Sequence, residues 1–412
     1  MEVCISVTLL PVNLKLRLIL YPCENVTMAK WGLMSNTQLG SLSENIGGGV
    51  RKYISSVFGP DWPYLKLLFL GVLVWFLLAQ FSMYLVPDTS STGGQNSKQY
   101  LEYVVRNGKI YLVFVMAILS FRVMVEAKKT DTGQSVLVLI FGYLRSVWQK
   151  WWAGPKKEAL GIPAFLLLAI ITFALFLLSY STIKTRVPDF MPFSWDVTFM
   201  KMDQALFFGK DAWQHFAFLY DYPKIILFMD FVYDLWAGIL VTAWFFTLRY
   251  GGKDKLRRYQ FILALMLIWF IGGNILAILF STAGPVYFEA VTGLPSSFDE
   301  QMAALSVINA QTPLRALEYQ AFLWDVYESP GVGLGGIAAM PSMHNASALL
   351  LYMMFARGVV TRILFGGFVL IIFIGSFMLA WHYVVDALLV VPVVIVCWKL
   401  AGWIVNKVAV TD

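Results

Sequence analysis

Charge is scarce in this sequence: Asp, Glu, Lys and Arg together make up 14% of its 412 residues. A soluble globular chain carries roughly a quarter, so an ordinary water-solvated domain is a poor fit. Cysteine is almost absent. Cys4, Cys23 and Cys397 show no CxxC spacing, which argues against a zinc ribbon and against dithiol redox chemistry. The net charge of +6 is small for the length and forms no basic stripe with interleaved aromatics, so nucleic acid is not an expected partner. No carboxylate cluster suited to magnesium is visible, and neither a metal nor a cofactor is implied. Histidine is rarer still, with three in the chain.

What is abundant is apolar. Hydrophobic residues reach 59%, mean hydropathy is +0.69, and 15 Trp contribute to an aromatic share of 16%. Runs of about twenty apolar residues place the chain in the membrane class, and the aromatics fit rings crowding both interfaces. Eight runs are candidates for spans, near 64–86, 109–127, 160–182, 224–248, 259–281, 343–358, 362–381 and 383–405. The expected fold is therefore all-α: a polytopic membrane protein of about eight transmembrane helices, six of them forming a catalytic core. Residues 1–63 read as a cytoplasmic N-terminal segment. Its stretch Ile5–Leu20 is broken by Pro11, Asn13, Lys15 and Arg17 and is short for a span. Residues 64–158 read as two added spans followed by an interfacial helix near Val136–Trp152. Residues 159–412 form the core.

Loop charge sets orientation. With both ends inside, about twenty of the 31 Lys+Arg lie on the cytoplasmic side and about nine outside. That leaves two long extra-cytoplasmic segments, 183–223 and 282–342. Loops of this length are usually functional or disordered, and the aromatic spacing of the first favours interfacial or re-entrant helices.

The residues able to carry chemistry fall on that outer face. His382 is followed at i+4 by Asp386, and on a helix these share one side. The carboxylate can then hold one imidazole nitrogen and leave the other unprotonated, as a nucleophile or base requires. The same pair also fits a structural lock between helices. His344 adds weight to the catalytic reading. It follows a Gly-rich approach, Gly335 to Ser342-Met343-His344, at the start of the sixth run, and span order brings it to the face that carries His382. Backbone amides and the Ser342 hydroxyl at a helix N-terminus suit a phosphate. Two histidines and an anion seat make a phosphoryl-transfer constellation.

Pro341-Ser342-Met343-His344 resembles the second motif, usually PSGH, of the type-2 phosphatidate phosphatase superfamily, and His382 to Asp386 resembles the HxxxD of its third. The resemblance covers roughly residues 160–405. It implies a phosphohistidine on His382, Asp386 as its orienting partner, and His344 as the general acid. Departures are equally informative. The first motif, KxxxxxxRP, would end at Pro285, yet Ala277 and Gly284 stand at its Lys and Arg positions. The arginine expected six residues before the third-motif histidine is Ser376, and Met343 replaces a small Gly. Inositol phosphorylceramide synthases and sphingomyelin synthases depart in a similar way, and Gly284-Pro285-Val286-Tyr287 is similar to a turn they carry. The chain thus looks closer to that transferase branch.

A charged hydrogen bond to phosphate contributes roughly 1.5–3 kcal/mol. Three missing cations must be replaced, or the substrate must need fewer, as a singly charged phosphodiester would. Tyr287, Asn274, Arg315 and Arg186 are candidate substitutes, alongside Ser342 and Met343 at the motif. Intramembrane Asp234, with Asp230 one turn away, could bind a headgroup hydroxyl. Each also has an ordinary packing or solvated role. His215 lacks a partner in sequence. The expected activity is headgroup transfer between a membrane phospholipid or sphingolipid and an alcohol. The alternatives are a lipid phosphatase of the same superfamily and, in another class, a transporter or scaffold with a structural His–Asp pair. The sequence does not specify an oligomeric state.

Overall fold

The computed structural model describes residues 3–8, 17–22, 61–85, 156–250, 254–328 and 335–410. The chain divides into two compact units, Met1–Ser56 and Val57–Asp412. In the first, strands β1 (Val3–Thr8) and β2 (Arg17–Pro22) pair antiparallel, with Val3 opposite Pro22 and Thr8 opposite Arg17. The breakers Pro11 and Asn13 fall between the two strands in sequence, where a ladder needs no donor.

The other described elements are all helices. The second unit contains α1 (Trp62–Leu85), α2 (Lys156–Thr185), α3 (Asp196–Leu206), α4 (Pro223–Tyr250), α5 (Lys255–Phe270), α6 (Phe298–Gln311), α7 (Arg315–Glu328), α8 (Met343–Phe355), α9 (Val359–Met378) and α10 (Val384–Val410). Among the described residues, six helices are long and apolar enough to cross a membrane: α1, α2, α4, α5 with its continuation to Leu279, α9 and α10. The expected sixth run is α8, whose 13 residues reach roughly 20 Å at 1.5 Å each, short of a bilayer core of about 30 Å. The second run, 109–127, and the interfacial helix near 136–152 lie outside the described residues. Leu77, Phe81, Ile363 and Leu364 are exposed on helix flanks, as lipid-facing positions would be.

Aromatics fill the bundle. Trp75, Phe176, Trp244 and Trp269 interlock between α1, α2, α4 and α5, with ring centroids 5.1–5.6 Å apart, the range in which ring pairs attract beyond simple burial. The helix α5 does not end cleanly. It widens into a π turn over Ile271–Leu276, where a Cβ on Gly273 would stand 2.5 Å from the Tyr180 ring and one on Gly272 would stand 2.9 Å from Met343 Cε. Asn274 anchors the turn, accepting from Trp75 Nε1 at 3.0 Å and donating to the Tyr180 carbonyl at 3.3 Å.

The described parts of the two long segments contain short helices. In 183–223 lie Val187–Phe190, α3, Ala212–His215 and the 3-10 turn Ala217–Asp221, and in 282–342 lie α6 and α7. Helices thus occupy much of the first segment. These pieces saturate the carbonyls at the end of α9, which a helix C-terminus leaves without partners. Gln301 Nε2 donates to the Phe377 carbonyl, the Tyr220 hydroxyl to that of Met378, and Gln320 Nε2 to that of Leu379, all at 2.7–2.8 Å. The turn that follows α9 is thereby fixed.

Candidate active site

His382 sits in that turn. Its backbone N–H and that of Trp381 both donate to the Ser376 carbonyl at 3.0 Å. The helix α10 then begins at Val384 under an acidic cap: Asp203 of α3 accepts from the backbone N–H of Val384 and Val385 at 2.6 and 2.9 Å. A carboxylate across a helix N-terminus satisfies orphan donors and complements the dipole. Asp196 does parallel work, accepting from Ala283 N, Gly284 N and the Tyr383 hydroxyl at 2.9 Å each. Asp196 and Asp203 of α3 thus hold the two turns flanking the site.

Asp386 is fully buried and His382 nearly so. The carboxylate Oδ2 accepts from Tyr383 N at 3.1 Å and faces His382 Nδ1 at 3.4 Å. That is an ion-pair distance and longer than a well-formed N–H···O bond. The i, i+4 relation does bring the groups together, as the spacing requires. Burial, with the charge of Lys184 adding to it, holds the His382 imidazole below its usual range.

His344 approaches from α8. Its ring lies 6.2 Å from that of His382. It is packed between Tyr233, stacked at 4.3 Å, and Trp236 at 4.1 Å. Two backbone bonds tie its Gly-rich approach to the turn after α5: Ala339 N donates to the Thr282 carbonyl and Met340 N to the Thr282 hydroxyl, at 3.0 and 3.1 Å.

Both histidines line one cavity of about 560 Å³, within the range of small-ligand sites. Its walls come from the end of α2, the first half of α4, the start of α7, the approach to α8 and the turn before α10. Met343, Tyr287, Asp234 and Arg315 line it too. The Tyr287 hydroxyl donates to the Gln320 carbonyl at 2.8 Å, so the residue offers mainly its ring. Arg315 Nε lies 3.8 Å from Asp234 Oδ2. Asp230 lines the wall, but its two oxygens accept from Arg315 N and Ala316 N at 2.9 and 2.8 Å, capping α7.

Three expected site residues lie elsewhere. Ser342 is buried outside the lining and serves as the N-cap of α8, accepting from Asn345 Nδ2 at 3.0 Å. Asn274 is taken up by the π turn, and Arg186 pairs with Asp189 at 3.4 Å. His215 Nε2 lies 2.9 Å from the Phe207 carbonyl, away from the cavity. Conversely, Lys184, Trp236 and Trp381 line the cavity without having been singled out by sequence. Lys184 carried a signal: it closes the third apolar run on the face that carries the histidines.

The missing arginine has a local explanation. Gly284 has φ +101°, and a Cβ there would stand 2.7 Å from the Trp381 carbonyl oxygen. Only glycine fits such a backbone at such an approach.

Residues 197–400 match the family model of the PAP2 superfamily. This part of the chain is a PAP2 superfamily domain. The match takes in α3 through most of α10 and includes His344, His382 and Asp386. The superfamily consists generally of metal-independent phosphatases and phosphotransferases, so PAP2 membership points to chemistry on lipid phosphates. No curated protein and no solved structure matches the chain.

Proposed function

We propose that this PAP2 protein is a lipid phosphotransferase that moves a phospho-headgroup from a membrane phosphodiester to a second alcohol. The observation that carries the reading is the pairing of His344 and His382 across one cavity, with Asp386 behind the second. Nε2 of His382 attacks phosphorus, and the bond from phosphorus to the first alcohol oxygen breaks. His344 protonates that oxygen as it leaves. The phosphoryl group then rests on His382, whose developing positive charge Asp386 offsets. In the second half His344, now neutral, takes the proton of the incoming alcohol, and that oxygen displaces His382. A phosphate anion beside His344 favours its charged form, so substrate binding itself prepares the acid.

The shortage of cations near the histidines favours a diester, which carries one fewer negative charge than a monoester. The donor and acceptor are membrane phospholipid or sphingolipid species, and the loop charges favour a cavity open to the extra-cytoplasmic side.

The test is turnover by purified protein in mixed micelles. Diester donors with an added lipid alcohol should give the exchanged lipid, and His382→Ala should lower the rate at least a thousandfold. Release of inorganic phosphate from phosphatidate, with no transfer from diesters, would replace this reading with a phosphatase. Near-normal activity in His382→Ala would end both, and would return the His–Asp pair to a structural role.

A further inference from the structure

We propose that Lys184, with the neutral donors Tyr233, Trp236 and Trp381, forms the phosphate seat of the cavity and takes a singly charged lipid phosphodiester. The inference rests on the function proposed above and supplies the cation that its motifs lack.

Among the described residues, two Lys or Arg side chains line the cavity, Lys184 and Arg315. They differ in availability. Arg315 is half-exposed and faces Asp234 at 3.8 Å, with Asp230 capping its own backbone. Lys184 has no carboxylate within ion-pair distance among the described residues, and its ammonium lies 5.6 Å from the centroid of the Tyr180 ring. It lines the same cavity as both histidines. The backbone of Lys184 is also fixed. Gly336 packs so closely that a Cβ there would come within 2.3 Å of the Lys184 carbonyl oxygen, and Asn274 ties α2 one turn earlier at Tyr180. A lysine held from both sides at the end of a span is a positioned charge.

The neutral partners point the same way. The Tyr233 hydroxyl and the indole N–H groups of Trp236 and Trp381 are buried without an acceptor among the described residues, and all three residues line the cavity. Tyr233 and Trp236 are themselves more than nine-tenths buried. Unpaired buried donors are rare because each forfeits its hydration. Phosphate oxygens are acceptors only, so one ligand would satisfy them. One lysine plus neutral donors balances one negative charge. A monoester dianion would keep an uncompensated charge in an apolar site, at high cost.

Binding, separate from turnover, tests this. The full chain carrying His382→Ala is purified in detergent and titrated with short-chain phosphatidylglycerol, with phosphatidic acid and with an uncharged short-chain diacylglycerol. The same titrations are made with Lys184→Gln and Lys184→Arg added. Lys184→Gln should weaken phosphatidylglycerol about tenfold or more, Lys184→Arg less than threefold, and diacylglycerol should be unaffected by either. Phosphatidylglycerol should bind the parent more tightly than phosphatidic acid does at a pH where the latter is a dianion.

Phosphatidylglycerol binding unchanged by Lys184→Gln would overturn the proposal. So would equal loss for the uncharged lipid, which marks a merely structural lysine, or a parent that binds no phosphatidylglycerol or prefers phosphatidic acid. Lys184-dependent binding in a wild-type protein that transfers no headgroup would leave the seat standing and remove the transferase reading.

Discussion

At the level of single residues, the site separates groups that move protons from groups that hold them in place. His344 touches aromatic faces on two sides, Tyr233 and Trp236, so its ring has little rotational freedom and can serve one direction of proton transfer. As a general acid it is worth about 10²–10⁴ in rate, and that worth depends on the leaving group. His344→Ala should therefore lose about that factor with an ordinary lipid donor. With a donor whose leaving group is a nitrophenol, which departs without protonation, most of the loss should vanish. Comparing kcat for the two donors in the wild type and the variant measures it; equal losses would mean that His344 does not protonate the leaving oxygen. In the proposed mechanism Asp386 has a different part, acting through His382. Replacing it with Asn should lower kcat about 10- to 100-fold with little change in KM, an estimate taken from the usual cost of losing a residue that orients a ligand or base.

At the level of elements, the placement of α10 decides whether His382 meets the cavity with Asp386 behind it. Its first turn is held by Asp203, which reaches across from α3 to two backbone N–H groups. Asp203→Ala leaves both donors buried and unsatisfied. The expected cost is about 1–2 kcal/mol, in line with lost N-caps, together with a clear fall in turnover as the turn at 382–385 loosens. Thermal unfolding in detergent and kcat on the same preparation check both halves; an unchanged Tm would deny Asp203 this role.

The same element shows what sequence could and could not reveal. The pair at 382 and 386 is local, one turn of helix, and the i+4 rule finds it. The convergence of His344 was also legible, because span order puts both helix starts on one side. Asn274 and Ser342 were not legible, since whether a polar side chain meets a ligand or a neighbour depends on contacts 94 to 199 positions distant for Asn274 and on a cap geometry for Ser342. The caps by Asp196, Asp203 and Asp230 escaped for the same reason: an acid that serves another segment leaves no periodicity. Span number suffered from length. An apolar run of sixteen residues, 343–358, reads as a short span, whereas its helix ends at Phe355 because Arg357 and Gly358 follow and Thr361 bonds back to their backbone N–H groups.

At the level of the whole molecule, the cavity lies at one end of the bundle, where α2 and α5 finish and α8 and α10 begin. Which side of the membrane that end faces rests on the loop basic residues, with Lys255, Arg257, Arg258, Arg357 and Arg362 at the opposite end. A cysteine replacing exposed Lys210, beside the α3 segment, should react with a membrane-impermeant maleimide in intact cells, whereas one replacing exposed Arg362 should react only after permeabilisation. The reverse pattern would invert the protein and turn its substrate pool to the other leaflet.

The turn at Gly284 has a consequence for how such a protein could change. Its backbone is left-handed and pressed against the carbonyl of Trp381, and its N–H is held by Asp196. No single codon change can install an arginine there and keep the turn. Regaining a cationic clamp would require the turn, the Trp381 peptide and the Asp196 anchor to move together, with intermediates that fold less well at each step. A protein that keeps this turn can therefore gain no cation at position 284. New specificities within it would arise along the other walls, on α4 and α7, where side chains can be exchanged one at a time.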